Sequence, residues 1–236
     1  MLPPEIEQIF DEPTRKLFDE VKQDFSISFE PWDKNFWEVE TRENYSIIFY
    51  DVNDINTSSL AHELLHLKLK QFDYLTMNHF YMSYLGDEFW GDVWNKFLCD
   101  HVKNCMAHTK IYPEYIKMGY SANSFVINAD KPQATVSGIK HIYLKRNGIL
   151  SAYDTNLYIG NLIAMYGDNY GHDYTKEFSL LRKKDDELFD IVTRFWNSWV
   201  NFELSHENND TQFIYDDFMN ELESWYFNKI NFKSTL

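Results

Sequence analysis

At 236 residues, with 44% apolar and 18% aromatic residues spread along its length, the chain has material for a sizeable core, and long disordered tracts are excluded. Its 22 basic and 37 acidic residues give a formal net charge of −15 with no block of lysines and arginines, which argues against a nucleic-acid partner. No stretch approaches the roughly 20 apolar residues of a membrane helix, and the first ten residues lack a basic and then apolar leader, so a soluble protein with no secretion signal and no membrane partner is expected.

Residues 4 to 24 carry Ile6, Ile9, Phe10, Leu17, Phe18 and Val21 at mostly helical spacing, which Pro13 is expected to break into two short helices. Three strand-like runs follow, Phe25–Phe29, Phe36–Thr41 and Tyr45–Tyr50, separated by turn-prone Pro31-Trp32-Asp33 and Arg42-Glu43-Asn44, and they read as a small antiparallel sheet. Asn56, Thr57 and Ser58 are capping residues at the start of a helix expected from about Ser58 to Gln71, with Leu60, Leu64 and Leu67 as its apolar stripe.

A second helix is expected from about Asp87 to Thr109, and Pro113 and Gly119 predict a short helix just after it. Phe125 to Tyr143 reads as irregular, and helices are expected at about 154–167, 185–204 and 213–229. The fold class is therefore α+β, mostly helical, with a small N-terminal antiparallel sheet. A single domain over 1–236 is expected, in which 25–120 holds the sheet and the first two long helices, and 121–236 is a helical C-terminal part. Cys99 and Cys105 point in different directions on one helix, so no disulfide is expected and a reducing cytoplasm is the default compartment.

The run Ala61-His62-Glu63-Leu64-Leu65-His66 carries the chemistry. On a helix, positions i and i+4 share a face, so His62 and His66 can direct two imidazole nitrogens at one ion, while Glu63 sits beside them as a general base that is not itself a ligand. The composition predicts only about 0.02 chance occurrences of this pattern, which favours a functional origin.

With a sheet before it and a helix after it, this motif resembles the zincin superfamily of metallopeptidases over roughly residues 25 to 120. The resemblance implies a Zn²⁺ cofactor, a peptide or protein substrate, and an edge strand, expected at Tyr45–Tyr50, that holds an extended peptide beside the metal. A third ligand is required, and several residues compete for the role. The chain is also similar to bacterial HExxH proteins with Asn104-x-x-x-His108 followed by Tyr112-Pro113 and Gly119-Tyr120, which favours His108. In the gluzincin branch the third ligand is a Glu with an Asp four residues on; Glu88 and Asp92 match that spacing, although Trp90-Gly91 looks like a helix start. His101 and Asp100 complete the field. Tyr112, Tyr120, His141 and His172 are candidate donors to an oxyanion.

Other conspicuous segments read as structure. Arg182-Lys183-Lys184-Asp185-Asp186-Glu187 is expected to be a solvated loop leading into an acid-capped helix, and Phe195, Trp196, Trp199 and Phe202 a core stripe. His79 reads as packing, His206 as exposed, and residues 167–171 as a turn. The leading functional expectation is a cytoplasmic zinc metallopeptidase of bacterial or phage type. The alternatives are a regulatory or inactive zincin-like protein, and a module whose metal merely holds helices together.

Overall fold

The computed structural model describes residues 2–231. The fold is α+β and mostly helical, with 56% of the chain in helices and two small sheets. Its contacts divide the chain into two compact units, one built from residues up to Asp73 with Thr109–Lys131, the other from Tyr74–His108 with the chain from Pro132 onward.

The first unit opens with helices α1 (Pro4–Gln8) and α2 (Glu12–Val21). The break falls just before Pro13, because Pro13 lies in the first turn of α2, where a missing N–H removes no helical bond. Asp11 caps that turn: its carboxylate accepts from the Thr14 N–H at 2.9 Å, and the Asp11 N–H donates to Thr14 Oγ1 at 3.0 Å.

Strands β1 (Ser26–Trp32), β2 (Glu38–Arg42) and β3 (Tyr45–Asp51) form a sheet of order β1-β3-β2. It is mixed rather than antiparallel, since β3 pairs antiparallel with β2 but parallel with β1. The consequence is that Tyr45–Tyr50 is the central strand, not an edge. Composition explains the order: β3 carries Ile47, Ile48, Phe49 and Tyr50, whereas β1 contains Pro31 and β2 carries Glu38, Glu40 and Arg42, residues suited to edges. The link between β1 and β2 is pinned by Trp37, which is buried and donates through Nε1 to the Asp54 carbonyl at 3.0 Å. Behind the sheet runs α3 (Thr57–Lys70), packed on α2 and β2.

The second unit begins with α4 (Asn78–Ser83), α5 (Trp90–Val93) and the first part of α6 (Lys96–Lys117), a helix whose residues from Thr109 onward count with the first unit. Contrary to expectation, α6 runs straight through Pro113 as one helix of 22 residues. The lost backbone bond is offset by packing on both sides of the proline, where Ile111 and Tyr115 are buried. The helix stops at Gly119, whose φ of 96° is open to glycine.

Then come α7 (Val136–Lys140), strands β4 (Lys145–Arg146) and β5 (Ile149–Leu150), α8 (Ala152–Tyr166), α9 (Thr175–Lys184), α10 (Asp186–Asn201) and α11 (Gln212–Asn231). Helix α9 was not anticipated, and Arg182, Lys183 and Lys184 are its last turn rather than a loop; Asp185 then caps α10, accepting from the Leu188 N–H at 3.0 Å. The core of this unit is aromatic, with Trp94, Trp199 and Trp225 fully buried, and Trp199 Nε1 donates to the Met106 carbonyl at 2.9 Å. Phe195, Trp196 and Trp199 are core residues, as expected. Among the described residues no helix is long and apolar enough to cross a membrane.

The β4–β5 hairpin is tied down by Asp154, whose buried carboxylate accepts from Arg146 Nε at 2.9 Å, Ser151 Oγ at 2.8 Å and the Tyr143 N–H at 3.0 Å. Burial pushes this carboxyl up, but the bonds from Arg146, Tyr143 and Ser151 outweigh burial and hold it below the usual range. A depressed folded value means that the stabilisation is present above the unfolded pKa, near 3.9, and is lost as pH falls through the folded value. Asp154→Asn is therefore expected to cost about 1–3 kcal/mol at pH 7, with the difference shrinking below about pH 4. Urea titrations at the two pH values check this; equal stability at pH 7 would contradict it.

Candidate metal centre

The site is built on α3. Asn56 starts the helix by accepting the Ser59 N–H at 2.8 Å, and Ser58 Oγ donates to the same oxygen at 2.7 Å. Leu60, Leu64, Leu65 and Leu67 are buried at 1% exposure or less, so the rotation of the helix about its axis is set by its core face. Lys68 fixes the same helix to its neighbours, pairing with Glu114 of α6 at 2.6 Å and with Glu20 of α2 at 3.3 Å. Because the first turn of α3 positions the histidines, Asn56→Ala is expected to lower stability by about 1 kcal/mol, measurable by thermal or denaturant unfolding; an unchanged midpoint would show that packing alone places the helix.

With that rotation set, His62 and His66 stand one turn apart with their Nε2 atoms 3.0 Å from each other. His108 joins them: one nitrogen from each of the three imidazoles lies within 4.8 Å of the others. His108 is on α6, one residue before the stretch Thr109–Lys117, and the continuous helix carries it on the same turns as Ile111 and Tyr112. Three imidazole nitrogen donors are a set that suits zinc. Two nitrogens on a tetrahedral zinc lie roughly 3.3 Å apart, so the His62–His66 pair needs only a slight opening, and a small movement of the His108 ring would complete the set.

Burial pushes the His62 pKa down to about 4, against a backbone hydrogen bond at Phe125, so this imidazole is neutral at pH 7 with a lone pair to offer. An aromatic wall sits behind it. Phe125 packs on His62 with ring centroids 4.7 Å apart, on Tyr112 at 4.9 Å and on Tyr115 at 5.0 Å. Tyr115 in turn bonds Ser124, through the carbonyl at 3.0 Å and Oγ at 2.9 Å. Phe125 and Tyr115 were missed in the sequence, where nothing distinguishes them from the other aromatic residues.

Glu63 is buried at 6% exposure. Burial raises its pKa to about 8, with the Val39 N–H of β2 donating to it and lowering the value, and Glu38 raising it. Glu63 therefore lies beside β2, an outer strand of the sheet.

The competing ligands are placed elsewhere. His101 Nε2 lies 3.3 Å from the Gly160 carbonyl and 3.8 Å from Cys105 Sγ, Asp100 pairs with Lys96, and Glu88 is exposed in the turn before α5; none belongs to the three-histidine group. Of the expected oxyanion donors, Tyr120 is committed to Asp11 at 2.7 Å, His141 Nδ1 to the Ser137 carbonyl at 2.8 Å, and His172 Nδ1 to buried Asp168 at 2.7 Å. Tyr112, one turn beyond His108 and against Phe125, is the one that shares the wall of the site.

No family model, no curated protein and no solved structure matches this chain.

Proposed function

We propose that the protein is a zinc-dependent metallopeptidase of zincin type, in which His62, His66 and His108 hold the metal and Glu63 is the general base. The observation that supports this most is the third histidine: two histidines four apart on a helix need no function, but an imidazole from a separate helix converging on the same point does. Zinc held there would supply Lewis-acid polarisation of a peptide carbonyl and acidify a water. Glu63 would take the proton of the attacking water and deliver it to the leaving amine. The Val39 N–H donates to its carboxyl and favours the ionised form that this transfer needs.

That β2, beside Glu63, is an outer strand favours an extended peptide substrate laid along it, in place of the central strand Tyr45–Tyr50. The free thiols Cys99 and Cys105, both pushed up to about 12 by burial, fit a reducing cytoplasm. The test is a library of fluorogenic peptides incubated with the full chain. Cleavage that stops on chelation and returns with zinc is expected; bound zinc with no cleavage of any peptide would point instead to a metal that only braces the helices.

A further inference from the structure

At one end of the second unit, the last turn of α9 (Arg182, Lys183, Lys184), the start of α10 (Asp185, Asp186) and Lys229 of α11 together line a cleft of about 480 Å³. Four cations in one cleft stand out in a chain of net charge −15. Residues 131–184, which lead up to it, carry eight basic and four acidic residues, the reverse of the chain as a whole.

Two of the four cations are neutralised locally. Lys229 pairs with Asp185 at 2.9 Å and Glu187 at 3.4 Å, and Arg182 pairs with Asp190 at 2.8 Å. The other two are not: among the described residues neither Lys183 nor Lys184 has a carboxylate within ion-pair distance. Lys183 is exposed. Lys184 donates to the carbonyls of Ile142 at 2.6 Å and Lys140 at 3.3 Å, so a half-buried ammonium rests on neutral acceptors, and burial pushes its pKa down. Beside it Tyr143 is 54% exposed, with Lys184 Nζ 5.4 Å and the Arg146 guanidinium 5.7 Å from its ring centre.

Basic residues at the end of a helix complement its dipole, and that alone accounts for their presence in the last turn of α9. It does not account for the lysine of α11, Lys229, lying on the same cleft, so that four cations from two helices share it. We propose that this cleft binds a small anion bearing one or more phosphate groups, free or as a lipid headgroup, with Lys183 and Lys184 supplying the charge that no carboxylate among the described residues pairs. The site lies wholly within the second unit and is independent of the metal chemistry.

The experiment titrates the full chain with inorganic pyrophosphate by calorimetry at low ionic strength, and in parallel with phosphatidylcholine vesicles carrying phosphatidic acid by sedimentation. Saturable pyrophosphate binding that weakens with salt, and at least about 10-fold in Lys183→Glu, is expected, because reversing one charge replaces an attraction at contact distance by a repulsion, and a loss of about 1.4 kcal/mol is tenfold. Lys183 is exposed, so this variant keeps the fold; Lys184→Ala, which removes bonds to two carbonyls, is read only alongside its circular dichroism. Binding to the vesicles but not to pyrophosphate, again lost in Lys183→Glu, assigns the phosphate to a lipid headgroup. Binding of neither probe, or equal binding by Lys183→Glu and wild type, overturns the proposal.

Discussion

Glu63→Gln is expected to lower peptidase turnover by about 10²–10⁴-fold while zinc content stays at the wild-type level. The substitution preserves shape, and the amide oxygen can still accept the Val39 N–H, so the helix and its two histidines keep their places. It removes the proton acceptor alone. Since Glu63 is buried with its ionised form disfavoured, a neutral side chain does not weaken the fold, and a loss of activity cannot be traced to unfolding. Turnover equal to wild type would end the general-base assignment.

The second large effect is expected at His108. His108→Ala should weaken zinc binding by more than about 100-fold, since loss of a mere supporting residue around a zinc ligand already costs 10–100-fold. His101→Ala on the same helix should leave zinc affinity unchanged, because that ring is turned to Gly160. Competition with a chromogenic chelator reads both values. The opposite pattern, retention in His108→Ala and loss in His101→Ala, would require α6 to present another face to α3.

How much of this could be read in advance depended on whether the signal was local. The start of α3 was legible because Asn56 caps it through its own side chain and the leucine spacing continues the pattern. The order of the sheet was not. Alternation in Tyr45–Tyr50 says that a strand has two faces but not which strands flank it, and the parallel pairing with β1 joins segments about twenty residues apart. Pro113 misled for a related reason: a local rule predicts a break, and the burial of Ile111 and Tyr115 overrides it.

Helix α9 was overlooked because only Leu181 in it is buried, so its apolar periodicity is thin. The β4–β5 hairpin, by contrast, had a readable sign, Asn147-Gly148, whose φ values of 52° and 76° are those of a tight two-residue turn.

At the candidate metal centre, the meeting of His62 with His66 was legible from spacing alone, since four residues on a helix bring two side chains to one face. The proposed third ligand required knowing which residues of α6 lie near the pair on α3. His101, Asn104 and His108 share a stripe in the sequence, and only the packing separates His108, which joins the pair, from His101, which joins α8. Phe125 lies too far along the chain from His62 for any local pattern to link them.

The most direct test of the account is the metal content of the full wild-type chain, purified without chelator or added metal and measured by elemental analysis. About one zinc per chain is predicted, removable by chelation and restored on addition of zinc. A protein that arrives without metal and takes up none from micromolar zinc would contradict the assignment of His62, His66 and His108 as a metal centre, and the peptidase reading with it.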